Sequence, residues 1–512
     1  MKKIIALSSI AFLSTVAFAN ADMQTQIDEL TKKVKKLEKS NKKQDKKISE
    51  VNAQSAKDNI KFDIDFRTSY DKLQYETVGG QKYSNNALYA NRLWINMGYA
   101  PTSDMLFKGQ LAYHKAFGST AFRSDGFPQR GAGFDTFDWI SSETLNDDKV
   151  RVREAYWLWT PKTDNASYTV SVGRRPSTNG FMSNLREDEP KDKSPNGHVI
   201  NMEFDGASAG IKSDVVLPGM LFKICLGRGL TNAKSWANEA DTTLNTQFMA
   251  ATSPNYIVDG NALDTVDMAG FIFIPYDDGQ YAVKTTWYRG FNVPGMILSD
   301  YDMNGTPADP TDDSQTWQML NTGDMDGMAA SLQINGIGNE INDFLDETIV
   351  FASYAVSVSH PNSDALRTPT AAGALGMMGV SSGNMLGSDE SLTGNSFWIG
   401  TQMPNLTGGK FGLEYNQGSK NWRPFTYGED TMIGSKIAVR GKAYEAYWTQ
   451  PLIKDVFSMQ VRYTYLDYDY TGSNGFFGDG GTPISMDDAE ANPMMDPVEK
   501  ASDLRVYFRY RY

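Results

Sequence analysis

The stretch Ala501-Ser-Asp-Leu-Arg-Val-Tyr-Phe-Arg-Tyr-Arg-Tyr512 alternates between apolar and charged side chains along most of its length. Leu504 and Phe508 fall on one face of an extended segment, whereas Arg505 and Arg509 fall on the other. Successive side chains of a β-strand point to opposite faces. The stretch therefore predicts a strand with one apolar face and one charged face.

The same alternation occurs at the other end of the body of the chain, where Ile60 and Phe62 oppose Lys61 and Asp63. Similar runs of about ten residues recur between these two ends, and this is the length that a tilted strand needs to cross a membrane. We count sixteen such runs, starting near residues 60, 88, 105, 149, 166, 201, 219, 265, 280, 326, 347, 394, 410, 436, 456 and 502.

The connections between these runs are short and long in turn. Short turns are expected at residues 101–104, 161–165, 213–218, 275–279, 338–346, 404–409 and 451–455. Long polar loops are expected at residues 118–148, 177–199, 229–264, 291–325, 360–393 and 469–501. This asymmetry is typical of outer-membrane barrels, and a soluble all-β protein does not explain it. The sequence therefore predicts an all-β fold, a transmembrane antiparallel β-barrel of about 16 strands.

Aromatic residues support this prediction because amphipathic rings lie at the two membrane interfaces of such barrels. The residues expected in these girdles are Trp157, Trp159, Tyr447, Trp448 and Tyr512.

The composition of the 512-residue chain excludes several other classes of protein. A net charge of −13 disfavours binding to nucleic acid, whose phosphate backbone is also negative. No segment beyond the N-terminal region has the 18 or so consecutive apolar residues of a membrane-spanning helix. The single Cys225 allows no internal disulfide, and three scattered histidines, His114, His198 and His360, argue against a histidine-based metal site.

Residues 1–21 have the pattern of a secretory signal peptide. Two lysines precede an apolar core from Ile4 to Phe18, and small residues follow at the expected cleavage position. A membrane anchor is excluded because the apolar run is too short to span a bilayer. The chain is therefore expected to be exported.

Residues 22–57 carry ten lysines and six acidic residues, with apolar side chains such as Leu30 and Leu37 at heptad spacing. This favours a short oligomerising coiled coil in the periplasm over a solvated Lys-rich linker. Its lysines could contact the anionic cell wall, although charge runs of this kind are more often simply solvated. The expected organisation is a signal peptide at 1–21, a coiled coil at 22–57 and the barrel at 58–512.

These features, with the motif Gly173-Arg-Arg-Pro-Ser-Thr-Asn-Gly180, together resemble a family of uncharacterised porin-like outer-membrane proteins of proteobacteria, a domain of unknown function. The architecture is also similar to that of phosphate-selective porins. The resemblance implies a location in the cell outer membrane, contact with outer-membrane lipid, a homotrimer, and assembly by the barrel-assembly machinery. Phe508, Tyr510 and Tyr512 match the signal that this machinery reads, although Tyr512 replaces the commoner Phe and Arg505 replaces a frequent Gly.

If the barrel is a pore, charged side chains on its inner wall set its selectivity. The alternation places more arginine than acid on that wall, so we expect a weak anion preference. The predicted pore-lining residues are Arg67, Arg151, Arg153, Arg175, Arg462, Arg505, Arg509, Arg511, Asp63 and Asp65.

The loop at residues 177–199 follows the fifth predicted strand. In porins the loop at this place folds into the lumen, so the resemblance implies a constriction formed here. Its members would be Arg186, Glu187, Asp188 and Glu189, which would face arginines of the wall. An exposed surface loop is the alternative interpretation.

Asp300-Tyr-Asp302-Met-Asn304-Gly305 matches the first half of a calcium-binding loop. Position twelve is Thr311 instead of glutamate, so an acidic polar loop is the alternative to a Ca²⁺ site at Asp300, Asp302 and Asn304. We expect no other cofactor.

Gly206-Ala-Ser208-Ala-Gly210 spells the G-x-S-x-G pattern of hydrolases, which requires a strand-turn-helix setting. Here the pattern lies inside an alternating run, so we expect no enzymatic activity. The sequence predicts a porin-like outer-membrane channel for passive diffusion of small hydrophilic solutes or ions. The alternatives are a non-conducting structural or envelope-tethering barrel with a plugged lumen, a barrel enzyme, and a soluble secreted β-protein.

Overall fold

The computed structural model describes the following residues: 60–118, 150–175, 177–189, 191–231, 233–234, 257–258, 265–302, 314–338, 341–362, 386–388, 390–426, 428–473, 483–493 and 495–512. The predicted signal peptide (1–21) and coiled coil (22–57) lie outside these residues, so both stay predictions. Within the described part, none of the helices is long and apolar enough to cross a membrane.

The described residues contain twenty strands and three short helices. The strands are β1 (Lys61–Thr77), β2 (Lys82–Tyr99), β3 (Met105–Ala116), β4 (Val150–Trp159), β5 (Ser167–Arg175), β6 (Gly180–Phe181), β7 (Lys193–Asn196), β8 (Phe204–Ser213), β9 (Met220–Leu230), β10 (Ala233–Lys234), β11 (Ile257–Val258), β12 (Val266–Asp277), β13 (Tyr281–Asp302), β14 (Ser314–Asn335), β15 (Ile349–Pro361), β16 (Thr393–Pro404), β17 (Lys410–Gly418), β18 (Gly441–Ile453), β19 (Phe457–Tyr468) and β20 (Val498–Arg511). The helices are α1 (Ser183–Arg186), α2 (Asp343–Asp346) and α3 (Met486–Glu490).

Sixteen of the described strands form a closed antiparallel barrel in the order β1-β2-β3-β4-β5-β8-β9-β12-β13-β14-β15-β16-β17-β18-β19-β20. The first and last strands pair antiparallel at the seam, with Tyr70 opposite Val506. The remaining four strands form two small sheets, β6 with β7 and β10 with β11. The predicted sixteen-stranded antiparallel barrel is therefore confirmed.

The described residues divide into two compact units, one that includes residues 60–61 and 99–106 and one that includes the described residues of 62–98 and 107–512. In the first unit, the described residues include the turn after β2, where Thr102 Oγ1 donates to Asp104 Oδ1 at 2.8 Å. The same hydroxyl accepts the Met105 N–H at 3.1 Å, so this short turn is closed by local side-chain hydrogen bonds. The second unit contains the inward-facing residues described below.

The two faces of the barrel strands differ as the alternation predicts. On β20, Phe508 is 44% exposed on the outer face, whereas Arg505 and Arg509 are almost completely buried on the inner face. Trp157 and Trp159 of β4 also lie exposed on the outer face. The barrel therefore carries apolar side chains outward and charged side chains inward.

The prediction for Tyr447 is wrong. Tyr447 and Trp448 are consecutive on β18, so only one of the two rings can face outward. Tyr447 is buried on the inner face, where its hydroxyl accepts a hydrogen bond from Gln402 Nε2 at 3.1 Å.

The predicted long loop at 291–325 is also wrong, because β13 runs on to Asp302 and β14 starts at Ser314. Asn292 and Gly323 adopt positive φ angles of 56° and 135° within this hairpin. The register shifts beside them, between Gly290 and Val293 and again before Pro294. These residues suggest a loop in the sequence but form bulges in a continuous ladder.

We expect a Tyr70→Cys/Val506→Cys variant, made in a Cys225→Ser background, to form a disulfide between β1 and β20. Directly opposite residues of an antiparallel pair lie about 4.5–5.5 Å apart, within the reach of a disulfide. Non-reducing gels after mild oxidation measure the cross-link. The matched control is Tyr70→Cys/Leu504→Cys, because Leu504 lies opposite Lys72 and is too far from position 70 to bond. Efficient cross-linking of the control pair alone would contradict the register.

Candidate functional site

Two segments between barrel strands fold against the inner face of the barrel. We call residues 177–189 and 191–203 the first infolded segment, and residues 419–426 and 428–440 the second infolded segment. Backbone hydrogen bonds join the two: Asn201 N donates to Phe425 O at 2.6 Å, and Gly428 N donates to Asn201 O at 2.7 Å. The two segments therefore form one structure beside the inner wall.

The helix α1 belongs to the first infolded segment, and its backbone carbonyls accept hydrogen bonds from the wall. Gln402 Nε2 donates to Leu185 O at 2.9 Å, and Gln460 Nε2 donates to Arg186 O at the same distance. Arg509 Nη1 donates to Glu187 O at 2.6 Å. The last carbonyls of a helix have no partner within the helix, so these wall side chains satisfy them and fix the position of α1.

Apolar packing fixes the other side of the two segments. Val199, Ile200, Trp422 and Phe425 pack into one buried cluster with inward residues of β12 to β15, including Tyr288. A second cluster joins inward residues of β13, β15 and β16 to Phe181, Met182, Leu185 and Ile437 of the segments. Burial of each large apolar side chain contributes about 1.5–3 kcal/mol. This sector of the lumen therefore has the character of a protein core.

His198 anchors the first infolded segment within that core. Its Nδ1 lies 2.7 Å from Ser353 Oγ and its Nε2 lies 3.0 Å from Ser396 Oγ. The ring contacts Trp398 and Trp422 edge-on, with centroid separations of 5.7 and 5.6 Å. Burial lowers the pKa of His198 to about 3, so the imidazole is neutral at ordinary pH.

The second infolded segment is held by the carboxylate of Asp430, which is 2% exposed. Arg67 binds both carboxylate oxygens, with Nη2 at 2.9 Å from Oδ1, and Arg505 Nη1 donates to Oδ1 at 2.7 Å. Arg462 Nη2 donates to the Asp430 backbone oxygen at 2.8 Å. Burial alone would raise the pKa of Asp430, but the guanidinium groups of Arg67, Arg505 and Arg462 hold it well below its usual range.

Arg186 links the two segments to each other and to the wall. Arg186 Nη1 donates to Glu429 Oε1 at 2.6 Å and lies 3.4 Å from Glu445 Oε2 of β18. Arg186 also pairs with Glu187 at 2.8 Å, and Arg462 of β19 lies 3.4 Å from the same Glu187 carboxylate. These charges balance one another within a buried network.

The residues predicted for a constriction all lie in the first infolded segment, against the wall. Besides Arg186 and Glu187, Asp188 pairs with Lys410 at 2.9 Å, and Glu189 pairs with Arg509 at 2.7 Å. The segment is therefore folded inward in the way that the resemblance implies. That these residues narrow a conducting pore stays a prediction.

The predicted pore-lining residues fall into three groups. Those buried on the inner face are Arg67, Arg153, Arg462, Arg505, Arg509 and Asp65. Those that are half-buried are Arg151, Arg175 and Arg511. Asp63 is exposed near the start of β1. A role of any of them in conduction stays a prediction.

The alternation shifts by one residue in the middle of β4. Arg153 and Glu154 are consecutive, yet both are buried, and Tyr156 is buried after them. Arg153 Nε pairs with Glu203 Oε1 of the first infolded segment at 3.1 Å, whereas Glu154 pairs with Lys193 at 2.6 Å. The charges of Arg153 and Glu154 therefore both act inside the barrel.

The predicted Ca²⁺ site lies where β13 ends, in the hairpin of β13 and β14. The backbones of Asp300 and Asp302 lie in β13, and Asn304 lies outside the described residues. Among the described residues, no group of three or more His, Cys, Asp or Glu side chains is arranged to hold a metal ion. The Ca²⁺ site stays a prediction.

Arg92 of β2 is an inner-wall residue that the sequence analysis missed. Its guanidinium lies over the Trp94 ring at 3.6 Å from the centroid, and Arg153 lies 4.2 Å from the same centroid. Arg92 alternates in step with Ala90 and Trp94, which are buried on the inner face, and this spacing of two could have revealed it. Asp430 was missed too, and no periodic signal marks it because it lies outside any strand.

The inner face of β5, β8 and β9 carries smaller side chains than the packed sector, although Ser171 and Ser208 are also buried, at 0% and 8% exposed. Ser171, Ser208 and Cys225 lie opposite one another across these three strands. Thr169, Gly210 and Lys223 form the neighbouring row. Most of these inward residues are small, and a cavity of about 70 Å³ adjoins this sector.

Cationic side chains lie along the same sector. Lys212 is exposed, and Lys223 and Arg175 are half-buried. The Arg175 guanidinium lies 4.5 Å from the centroid of the Tyr156 ring. The register also explains the G-x-S-x-G pattern, since Ser208 lies within the continuous strand β8.

The family model described as "Protein of unknown function (DUF3373)" matches residues 82–512 of the chain. This match confirms the resemblance to an uncharacterised porin-like family. A search of the curated proteins finds no match.

Several solved structures of outer-membrane proteins are similar to the chain. The OprB structure of Pseudomonas putida at high pH has a TM-score of 0.44 and 10% identity, covering 90% of this chain and 96% of that one. A loop L8 deletion mutant of OmpT, an outer membrane protein of Vibrio cholerae, has a TM-score of 0.42 and 9% identity, with 89% and 99% covered. Salmonella typhi OmpF in complex with daunomycin has a TM-score of 0.40 and 10% identity, with 88% and 97% covered.

We expect Asp430→Asn to lower the free energy of unfolding by about 3–5 kcal/mol, because it leaves buried guanidinium groups without their anion. Urea unfolding of the refolded barrel measures this change. Asp188→Asn is the matched control. Its partners Lys410 and Arg511 are 49% and 28% exposed, so the loss should stay below about 1 kcal/mol. Equal losses for the two variants would contradict a central role for Asp430.

The free energy of unfolding should fall as the pH drops from about 6.5 to about 3. In this range His198 is protonated in the unfolded chain, whereas the buried ring of the folded protein stays neutral. His198→Gln lacks this proton uptake, so its stability should depend less on pH, by up to about 1.4 kcal/mol per pH unit. Urea unfolding across this pH range measures both slopes. Equal slopes in the natural protein and His198→Gln would exclude a buried neutral ring.

Proposed function

We infer that this chain, which belongs to the family described as "Protein of unknown function (DUF3373)", is an outer-membrane channel for passive diffusion of small hydrophilic solutes or ions. The inference proceeds from the two faces of the barrel. Its outer face suits contact with lipid, and one sector of its inner face suits the passage of polar solutes.

The outer face supports a membrane location. Phe222, Ile224 and Leu226 are consecutive outward residues of β9, and they are 42%, 51% and 57% exposed. Continued exposure of large apolar side chains is costly in water and favourable in lipid. A closed barrel also leaves no strand edge unpaired, as a bilayer requires. We therefore propose that the barrel lies in the outer membrane, with both chain ends on the periplasmic side.

The observation that carries the proposal is the contrast between two sectors of the inner face. Beside β12 to β16 the infolded segments pack against the wall as a buried core. Along β5, β8 and β9 the inward residues are mostly small, including Ser171, Ser208 and Cys225. A solute path along this second sector would be lined by hydroxyl groups and cations, as in water-filled barrels.

The charges of this sector favour anions. Lys212, Lys223 and Arg175 contribute positive charge. The nearby carboxylates of Glu154 and Asp192 are paired with lysines, at 2.6 and 2.8 Å. A net positive lining raises the local concentration of anions, so we propose a weak anion preference. A homotrimer and a periplasmic coiled coil complete the proposal.

The packed sector favours a second candidate, a non-conducting structural barrel. Trp422 and Phe425 of the second infolded segment are both 1% exposed, so this part of the lumen holds a solid core. If the small-residue sector is also closed, the protein would act through its outer surface alone. Conduction distinguishes the two candidates.

The chain's only cysteine tests the path directly. We expect a charged methanethiosulfonate reagent to lower the single-channel conductance of the natural protein, because its adduct at Cys225 would narrow the proposed path. Planar-bilayer recording before and after the reagent measures the change. Cys225→Ser should have the conductance of the natural protein, and the reagent should not change it.

A matched variant controls for reaction elsewhere on the barrel. Ile224→Cys in the Cys225→Ser background places the thiol on the outer face, where the reagent should leave the conductance unchanged. Labelling of Cys225, shown by mass spectrometry, without any effect on the current would contradict a path along β5, β8 and β9.

A further inference from the structure

Four consecutive strands of the barrel, β19, β20, β1 and β2, bring arginines together at one place on the inner wall. We call this group the four-arginine site; its members are Arg462, Arg505, Arg67 and Arg92. All four side chains are at most 3% exposed. The site is therefore built from strands whose positions are fixed by the sheet.

Asp430 is the carboxylate that all four arginines of the site share. Arg505 also pairs with Asp71, and Arg462 lies 3.4 Å from Glu187. Arg67 grips both oxygens, and Arg505 donates to one of them at 2.7 Å. Arg462 Nη2 lies 3.5 Å from Oδ2. Planar guanidinium groups match the geometry of a carboxylate, and this arrangement is how proteins recognise carboxylate ligands.

Arg92 adds donors that Asp430 leaves unused. Among the described residues, its Nε, Nη1 and Nη2 have no hydrogen-bond partner, although the side chain is 2% exposed. The nearest carboxylate oxygens belong to Asp65, Asp430 and Glu187, at 3.7, 3.9 and 4.0 Å. Each is beyond hydrogen-bond distance. Buried hydrogen-bond donors without an acceptor are costly, so Asp430 leaves part of the hydrogen-bonding capacity of the site unused.

The occupant comes from a part of the chain that is not a barrel strand. Asp430 lies on the second infolded segment, and Arg67 is 363 positions away from it in the sequence. The arginines belong to strands of the barrel sheet, whereas Asp430 belongs to the segment. An aspartate side chain presents the same group as a small carboxylate solute such as acetate.

We propose that the four-arginine site binds a small carboxylate anion, and that the Asp430 side chain occupies it as an internal substitute. A solute carboxylate takes the place of Asp430 when that side chain is absent or withdrawn. The fourth guanidinium, on Arg92, supplies hydrogen bonds to this anion that Asp430 does not accept. The proposal concerns binding and holds whether or not the barrel conducts.

Chemical rescue tests the proposal. Asp430→Ala removes the internal carboxylate and leaves space among the arginines. The thermal unfolding of the refolded variant is compared in sodium acetate and in sodium chloride at equal ionic strength. We expect acetate to raise the midpoint of Asp430→Ala by about 2 °C or more above its value in chloride. The natural protein should show no such difference.

Asp430→Asn is the matched control because its neutral amide fills the same space. Acetate should not stabilise it beyond the effect of chloride. If Asp430→Ala does not refold in chloride, the yield of folded, heat-modifiable barrel is measured in each salt instead. A higher yield in acetate supports binding of acetate at the four-arginine site. Equal midpoints or yields in the two salts would overturn the proposal, as would equal stabilisation of Asp430→Ala and Asp430→Asn.

Discussion

The arrangement of the lumen depends on buried ion pairs between arginines of the wall and carboxylates of the infolded segments. A buried charge without a partner is strongly destabilising, so the wall arginines and the segments need each other. Asp430 pairs with Arg67 and Arg505, while Arg186 pairs with both Glu429 and Glu187. The sheet fixes one set of charges, and these pairs then fix where the segments lie.

Apolar packing and a neutral histidine complete what the ion pairs begin. Phe425 and Trp422 bury their rings against the inner face of the barrel, and His198 bridges Ser353 and Ser396 without carrying a charge. One sector of the lumen thereby becomes a protein core. The sector along β5, β8 and β9 keeps small and cationic side chains, and this division is the basis for the proposed path.

Most of the fold could be predicted from the sequence because the period of two is a local signal. The strands at Lys61 and Val498 follow from their own alternation. The hairpin of β13 and β14 could not be predicted, since Asn292 and Gly323 suggest a loop but form bulges whose partners lie on the neighbouring strand. The infolding of residues 177–199 came from family resemblance alone. The role of Asp430 had no local signal, because its partner Arg67 is 363 positions away.

The measurement that tests the central claim most directly is planar-bilayer recording of the refolded barrel under a KCl gradient. The account predicts discrete conductance steps. Their reversal potential should have the sign of a channel that prefers chloride over potassium, because Lys212, Lys223 and Arg175 make the lining positive. If protein that is shown to be folded by its heat-modified gel mobility gives no conductance steps, the channel is contradicted. In that case a non-conducting structural barrel would be the better interpretation of the protein, because its lumen is filled with packed and ion-paired side chains.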